Sequence, residues 1–199
     1  MPTPLKTGRP MEVEEFLAWD SGDDLRYELV DGYPVPVFGQ SQPAPAHGAV
    51  AGELITLLNM HLRKTGRPCR VETPTAVRIQ AKARRVRGPD VVVRCGASAR
   101  TADEPVVVIE VLSPENTVRQ MEEKEDDYRA VPSIQCVVRL AQDAFFATTL
   151  RRAGDLWVKG AVSGPDGVLR IDAIGFEAPL REIYRTVLDP EADEADAAV

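Results

Sequence analysis

Two valine-rich segments joined by a short loop constrain the fold of this chain more than any other feature. Residues 88–93 read Gly-Pro-Asp-Val-Val-Val, and residues 106–112 read Val-Val-Val-Ile-Glu-Val-Leu. Short apolar runs rich in β-branched residues are typical of buried strands. We therefore expect the two segments to pair in antiparallel orientation through the loop at residues 95–105. Each segment carries one acid, Asp90 or Glu110, that an apolar sheet does not favour.

Asp90 and Glu110 face each other if the connecting turn centres on Arg100, because opposite residues of an antiparallel pair have numbers with a constant sum. Desolvating one carboxylate is costly, and two together repel unless a cation or a shared proton compensates. The pair therefore predicts a divalent metal site, and carboxylate oxygens with open coordination positions suit Mg²⁺ or Mn²⁺. The alternative is that Glu110 pairs with a core arginine and Asp90 caps a turn.

The remaining pattern predicts an α+β fold with a central mixed sheet and one long helix on each side of the paired acids. Asp31-Gly32 is a strong hairpin signal, and Pro34 and Pro36 suit an edge strand. The predicted helices span residues 12–18, 47–64, 118–130 and 180–184. Further strands are predicted at residues 69–71, 76–79, 135–140 and 168–171, with a second hairpin at residues 145–159.

The negative charge of the chain is concentrated at its end. The net charge is −7, and residues 189–199 contain five acids and no base, so the rest of the chain carries only −2. This balance argues against a protein that coats nucleic acid non-specifically. We expect a single domain over residues 1–188, followed by a disordered acidic tail over residues 189–199.

The cysteines and the apolar segments predict a cytoplasmic location. Cys69, Cys95 and Cys136 are odd in number, widely spaced and form no CxxC pair. We therefore expect neither a disulfide nor a thiolate zinc site, and infer a reducing compartment. No apolar run is long enough to span a bilayer, so no membrane association is expected.

Several other side chains are candidates for chemistry, each with a plainer structural alternative. Lys124 shares a helical face with Met121 and Tyr128 but could be a solvated lysine in local ion pairs. Glu28 lies on the strand face opposite its two neighbours, which could look into a cleft or into solvent. His47 starts the long helix, about 21 Å from His61 along the axis, so the two cannot bind one metal.

A basic stretch lies immediately before Asp90. It contains Lys82, Arg84, Arg85 and Arg87. Cations beside a carboxylate metal site are what a phosphodiester substrate would need, although a solvated loop is the alternative. The chain has no glycine-rich phosphate loop, no GxSxG and no HExxH motif.

Five short motifs together resemble the Uma-type restriction endonucleases, a bacterial family within the PD-(D/E)xK nuclease superfamily. The resemblance covers residues 12–188. The matching pieces are residues 26–32 (Arg-Tyr-Glu-Leu-Val-Asp-Gly), His47, Pro89-Asp90, residues 108–114 (Val-Ile-Glu-Val-Leu-Ser-Pro), and Lys124 with Tyr128.

The resemblance implies a restriction-endonuclease-like core and a metal-dependent nuclease that acts on DNA, with double-stranded DNA the expected form. By that likeness Asp90 and Glu110 bind Mg²⁺ or Mn²⁺ with help from the Val111 carbonyl, and Glu28 is an additional acid. The usual superfamily lysine would stand at Leu112, so the resemblance moves that role to Lys124. The substrate-binding residues expected are Arg84, Arg85, Arg87, His47 and Tyr128.

This chain departs from the family pattern at two places. Gln120 stands where relatives often carry an acid, and residues 135–137 (Gln-Cys-Val) replace frequent aromatics. A catalytically degenerate nuclease fold that binds nucleic acid or a protein therefore stays open, as does a structural domain with buried ion pairs. Nucleases of this fold often act as dimers because a duplex has two strands, so by analogy we expect a homodimer.

Overall fold

The computed structural model describes residues 9–37, 45–73, 75–98, 100, 103–113 and 116–188. Its helices are α1 (Val13–Leu17), α2 (Pro45–Thr65), α3 (Val118–Arg129), α4 (Leu180–Ile183) and α5 (Arg185–Leu188). Its first six strands are β1 (Tyr27–Val30), β2 (Tyr33–Pro36), β3 (Cys69–Glu72), β4 (Val77–Arg78), β5 (Val86–Arg87) and β6 (Val91–Cys95). The others are β7 (Glu104–Leu112), β8 (Cys136–Ala141), β9 (Phe146–Ala153), β10 (Leu156–Ser163), β11 (Val168–Ile171) and β12 (Phe176–Pro179).

A six-stranded mixed sheet forms the centre of the molecule, with the strand order β10-β9-β8-β7-β6-β3. Strands β7 and β8 are parallel, and the other neighbours in this sheet are antiparallel. A parallel pair needs a crossover connection, which α3 supplies between β7 and β8. The predicted α+β architecture is confirmed, and it is a restriction-endonuclease-like fold.

The two valine-rich strands are buried on both faces, which explains why their sequences do not alternate between apolar and polar residues. On one face, Val91, Val93, Val107, Ile109 and Val111 share a core cluster with Val50, Leu54 and Leu58 of α2. On the other face, Val92 and Val108 pack with Tyr128 of α3. The expectation of one long helix on each side of this strand pair is therefore confirmed.

A smaller sheet has the strand order β2-β1-β5-β4. Strand β2, which contains Pro34 and Pro36, is at its edge, as the missing N–H groups of proline require. The hairpin predicted at Asp31-Gly32 joins β1 to β2. Strand β5 forms inside the basic stretch, which the sequence pattern had indicated only as a turn.

The cysteine prediction is wrong, because Cys69 and Cys95 form a disulfide. They are 26 residues apart, and nothing in that spacing indicates a bond. The antiparallel register of β3 and β6 places them directly opposite each other, with 4.1 Å between their Cα atoms. The cysteines therefore give no support to a reducing compartment, and a cytoplasmic location stays a prediction.

Two other expectations concern the chain as a whole. None of the helices within the described ranges is both long and apolar enough to cross a bilayer. The acidic tail predicted over residues 189–199 lies outside the described residues. The sequence pattern also missed β12, which pairs with β11 to form a separate two-stranded sheet.

Candidate functional site

Asp90 and Glu110 come together at the point where β6 begins and β7 nears its end. Val91 pairs with Ile109, and Val92 with Val108. Continuing this register by one residue places Asp90 beside Glu110, as the constant-sum argument predicted. The register shifts between Val93 and Arg94, on the side away from the acids, so the irregularity does not affect them.

Asp90 is buried and its carboxylate is held by groups from two other elements. The Val111 N–H donates to its Oδ2 at 2.8 Å, and His47 Nε2 lies 3.3 Å from the same oxygen. Arg26 lies 3.8 Å from Oδ1. Burial alone would raise the pKa of Asp90, but the hydrogen bond and charge of His47 and the Val111 N–H outweigh it, so the pKa is lowered.

Glu110 has a different environment although it lies next to Asp90. Its Oε1 accepts hydrogen bonds from Lys124 Nζ at 2.9 Å and from the Tyr128 hydroxyl at 2.5 Å. Burial raises the pKa of Glu110, Lys124 opposes the rise, and the charges of Asp90 and Glu28 add to it. The net direction is upward, with burial as the main cause.

Lys124 reaches the site from α3. Thr117 begins this helix with a capping box in which Gln120 is the reciprocal partner. Lys124 lies almost two turns beyond the cap, and its Nζ contacts both Glu110 and Glu28, the latter at 3.1 Å. Burial would lower the pKa of Lys124, but the two carboxylates raise it, so this side chain is a cation at neutral pH.

Glu28 is brought to the site by β1 of the smaller sheet, on the face opposite Leu29. Arg87 donates to its Oε2 at 2.7 Å, and the Gly88 N–H donates to its Oε1 at 3.1 Å. Burial alone would raise the pKa of Glu28, but Lys124 and Arg87 lower it to about 2. Of the two orientations left open by the sequence, the solvent-facing one is therefore excluded, because Glu28 is buried against Lys124 and Arg87.

The three arginines predicted to bind substrate are each paired with an acid in this structure. Arg84 is half exposed and pairs with Glu12. Arg87 is only 6% exposed and connects Glu28 to Asp127 through bonds of 2.7 Å and 2.5 Å. Their role in phosphate binding is a prediction that these contacts leave untested.

Arg85 also bonds two carboxylates. Its Nη2 lies 2.6 Å from Asp31 Oδ1, and its Nη1 lies 3.1 Å from Asp127 Oδ2.

Asp127 is a residue that sequence reasoning missed. Its side chain is fully buried and accepts bonds from Lys82 at 2.6 Å as well as from Arg85 and Arg87. The signal in the sequence was that the four clustered cations before Asp90 need acidic partners, and α3 is rich in acids. That signal does not say which acid of the helix turns inward, because four others surround Lys124.

A groove of about 400 Å³ lies on another part of the same sheet. It is lined by Glu125, Arg139, Lys159 and small residues of β9 and β10, and it includes neither Asp90 nor Glu110. Glu125 is balanced there by Arg139 and Lys159. The groove therefore adds nothing to the acid pair.

No group of three or more histidine, cysteine or acidic residues is arranged as a ready-made metal cluster within the described part of the chain. Lys124 and Tyr128 of α3 bond Glu110, whereas His47 of α2 and the Val111 N–H of β7 contact Asp90. Asp90 and Glu110 nevertheless form a pair of adjacent buried carboxylates.

The mixed sheet flanked by helices is a fold of the restriction-endonuclease-like class. The comparison with family models makes the assignment specific. The chain matches the model of the Uma2 family, described as "Putative restriction endonuclease", over residues 13–181, and it therefore belongs to that family. None of the curated proteins matches the chain.

Proposed function

We propose that this protein is an endonuclease that depends on a divalent metal and hydrolyses phosphodiester bonds in double-stranded DNA. The observation that carries the proposal is the position of Lys124, whose Nζ lies 2.9 Å from Glu110, beside Asp90. Two buried acids and a charged lysine at one sheet end are the groups that phosphodiester hydrolysis requires. Membership of the Uma2 family supports a nuclease.

Asp90, Glu110 and the Val111 carbonyl would hold Mg²⁺ or Mn²⁺. All three are oxygen donors, which both ions prefer. Burial is the main cause of the raised pKa of Glu110, and the charges of Asp90 and Glu28 add to it, which supports the proposal of a cation beside these acids. When bound, the ion supplies a Lewis acid and lowers the pKa of a water molecule.

Lys124 would position the attacking water or stabilise negative charge that develops on the phosphate. Its pKa is raised, so it acts as a cation and hydrogen-bond donor rather than as a base at neutral pH. Glu28 and Glu110 fix its Nζ from two sides. Tyr128 then orients Glu110, because its hydroxyl donates to the same oxygen as Lys124.

The basic stretch divides into two roles under this proposal. Arg84 is 44% exposed, so it can reach a flanking phosphate by exchanging its surface contact with Glu12. Arg87 is fixed between two buried carboxylates and positions Glu28. Arg85 is 12% exposed and is tied to Asp127, which favours a supporting role as well.

Two catalytic sites would let a duplex be cut on both strands in one binding event. A closed dimer with a two-fold axis supplies two equivalent sites in opposite orientation. We therefore include a homodimer in the proposal.

A second candidate function is a nuclease fold that binds nucleic acid or a protein without cleaving. The observation in its favour is the continuous set of ion pairs from Lys124 through Glu28 and Arg87 to Asp127. Such a network can be purely structural.

Nicking of a supercoiled plasmid separates these candidates. We expect cleavage in Mg²⁺ or Mn²⁺, none in EDTA, and a loss of at least about 100-fold in Asp90→Ala and Lys124→Ala. Arg119→Ala is the matched control, because Arg119 is exposed on the same helix and should leave the rate unchanged. Cleavage that survives both site substitutions would reject these residues. Tight DNA binding by the unaltered chain without nicking in either ion would favour the second candidate.

A further inference from the structure

His47 is held in the first turn of α2 against the acid pair. Val50, one turn further on, is fully buried and anchors this end of the helix in the core. The His47 side chain is 13% exposed, and its Nε2 lies 3.3 Å from Asp90 Oδ2. The imidazole therefore belongs to the site and is not a solvent-facing residue at a helix start.

The Asp90 oxygen that His47 approaches is also bonded by β7. The Val111 N–H donates to Asp90 Oδ2 at 2.8 Å, and His47 Nε2 lies 3.3 Å from the same oxygen. His47 thus contacts one of the carboxylates that would hold the metal.

The distance between His47 and Asp90 suits two neighbouring ligands of one ion. Metal–ligand bonds of about 2.1 Å at a right angle place two donor atoms about 3 Å apart. The observed separation is 3.3 Å. A cation bound by both atoms would take the place of their present contact.

We infer that His47 is a ligand of the proposed metal and that the site takes Mn²⁺ in preference to Mg²⁺. A nitrogen ligand favours transition ions, whereas Mg²⁺ prefers oxygen donors throughout. Mn²⁺ accepts the mixed set of carboxylate, carbonyl and imidazole groups. This inference rests on the proposed function, because it requires a cation at Asp90 and Glu110.

The test is pulsed electron paramagnetic resonance on the full chain loaded with Mn²⁺, which detects a bound imidazole through its ¹⁴N nuclei. The chain has only two histidines. His61 is the matched control, because its Nε2 lies 2.9 Å from the Ile174 carbonyl oxygen, elsewhere on α2. We expect a nitrogen signal in the unaltered chain and in His61→Gln, and its loss in His47→Gln.

Metal titration gives a second measurement. In His47→Gln the Mn²⁺ affinity should fall about 10- to 100-fold, and the Mg²⁺ affinity less than about threefold. If His47→Gln misfolds, the spectra of the unaltered chain and of His61→Gln still decide whether His47 binds the metal, because His47 is the one histidine left in His61→Gln.

The failure of this inference differs from failure of the proposed function. Mn²⁺ that binds, is lost in Asp90→Asn and yet shows no nitrogen signal would overturn the role of His47 alone. Mn²⁺ that does not bind, or that binds equally well in Asp90→Asn, would overturn the metal site itself and with it the inference.

Discussion

Glu110 and Asp127 are two buried carboxylates that contact opposite ends of one ion-pair network. Asp127 accepts bonds from three cations, Lys82, Arg85 and Arg87. Glu110 has one cation, Lys124, and a second acid beside it. Burial alone therefore does not mark a functional acid. The balance of nearby cations and acids distinguishes Asp127, which three cations hold in the fold, from Glu110, which under the proposed function would take an additional ion.

Arg87 connects the two regions, since it bonds both Asp127 and Glu28. Glu28 in turn contacts Lys124. The contacts of Asp127 thus hold Arg87 and, through it, Glu28 in place beside Lys124. The basic stretch therefore acts largely through contacts inside the protein and not at its surface.

The largest expected effect on stability comes from removing Asp127, the acid that contacts three cations. Asp127→Ala should lower the free energy of unfolding by about 3 to 5 kcal/mol, because it leaves buried cations without their partner. Glu110→Gln should change it by less than about 1 kcal/mol, since Lys124 keeps Glu28. Urea denaturation at neutral pH measures both.

Asp126→Ala is the control for this comparison, because Asp126 is an exposed neighbour on α3 that pairs only across the surface. If Glu110→Gln proved as destabilising as Asp127→Ala, the distinction between the two regions would fail.

An effect of intermediate size is expected in acid. The pKa of Glu28 is lowered to about 2 in the folded state, so Glu28 stabilises the protein above its ordinary pKa of 4.5. This contribution, on the order of 2 kcal/mol, is lost as the pH falls from about 4.5 to 2. Glu28→Gln should therefore flatten the acid limb of a stability profile measured by denaturation between pH 2 and 8.

Glu110 should show the opposite sign. Its pKa is raised, so the stability associated with it is full below about 4.5 and declines as the pH rises through the folded value. Glu110→Gln should remove that decline. Glu122→Gln, an exposed acid of α3, serves as the control, and an equal change of slope in all three variants would contradict the assignment.

The smallest effect is expected at the start of α3. Gln120 bonds Thr117 in the capping box, and glutamate can make the same bonds while adding charge near the positive end of the helix. Gln120→Glu should raise the free energy of unfolding by about 0.3 to 1 kcal/mol, which would appear as a slightly higher melting temperature. A decrease would show that the amide is needed for more than capping.

The strand pair and its register were predictable, whereas the ion pairs were not. Valines buried on both faces and a short loop leave few alternatives for β6 and β7, so Asp90 and Glu110 follow from the sequence. The inward turn of Asp127 depends on how α3 rotates over the sheet, and α3 presents acids on several sides.

The disulfide was missed for a related reason. Its formation depends on the register between β3 and β6, which are separated by other elements along the chain. The family motifs supplied what local patterns could not, since they connected Glu28, His47 and Lys124 across distant segments.

The crossover helix has a consequence for how this family can be recognised from sequence. Parallel pairing of β7 and β8 obliges the chain to pass over the sheet near Glu110, and Lys124 arrives on that passage. Leu112 lies on the same strand face as Glu110, so the usual lysine position and Lys124 approach one place from two directions. A lysine at position 112 would therefore approach the acids that Lys124 contacts, so a motif search restricted to that spacing would overlook this chain.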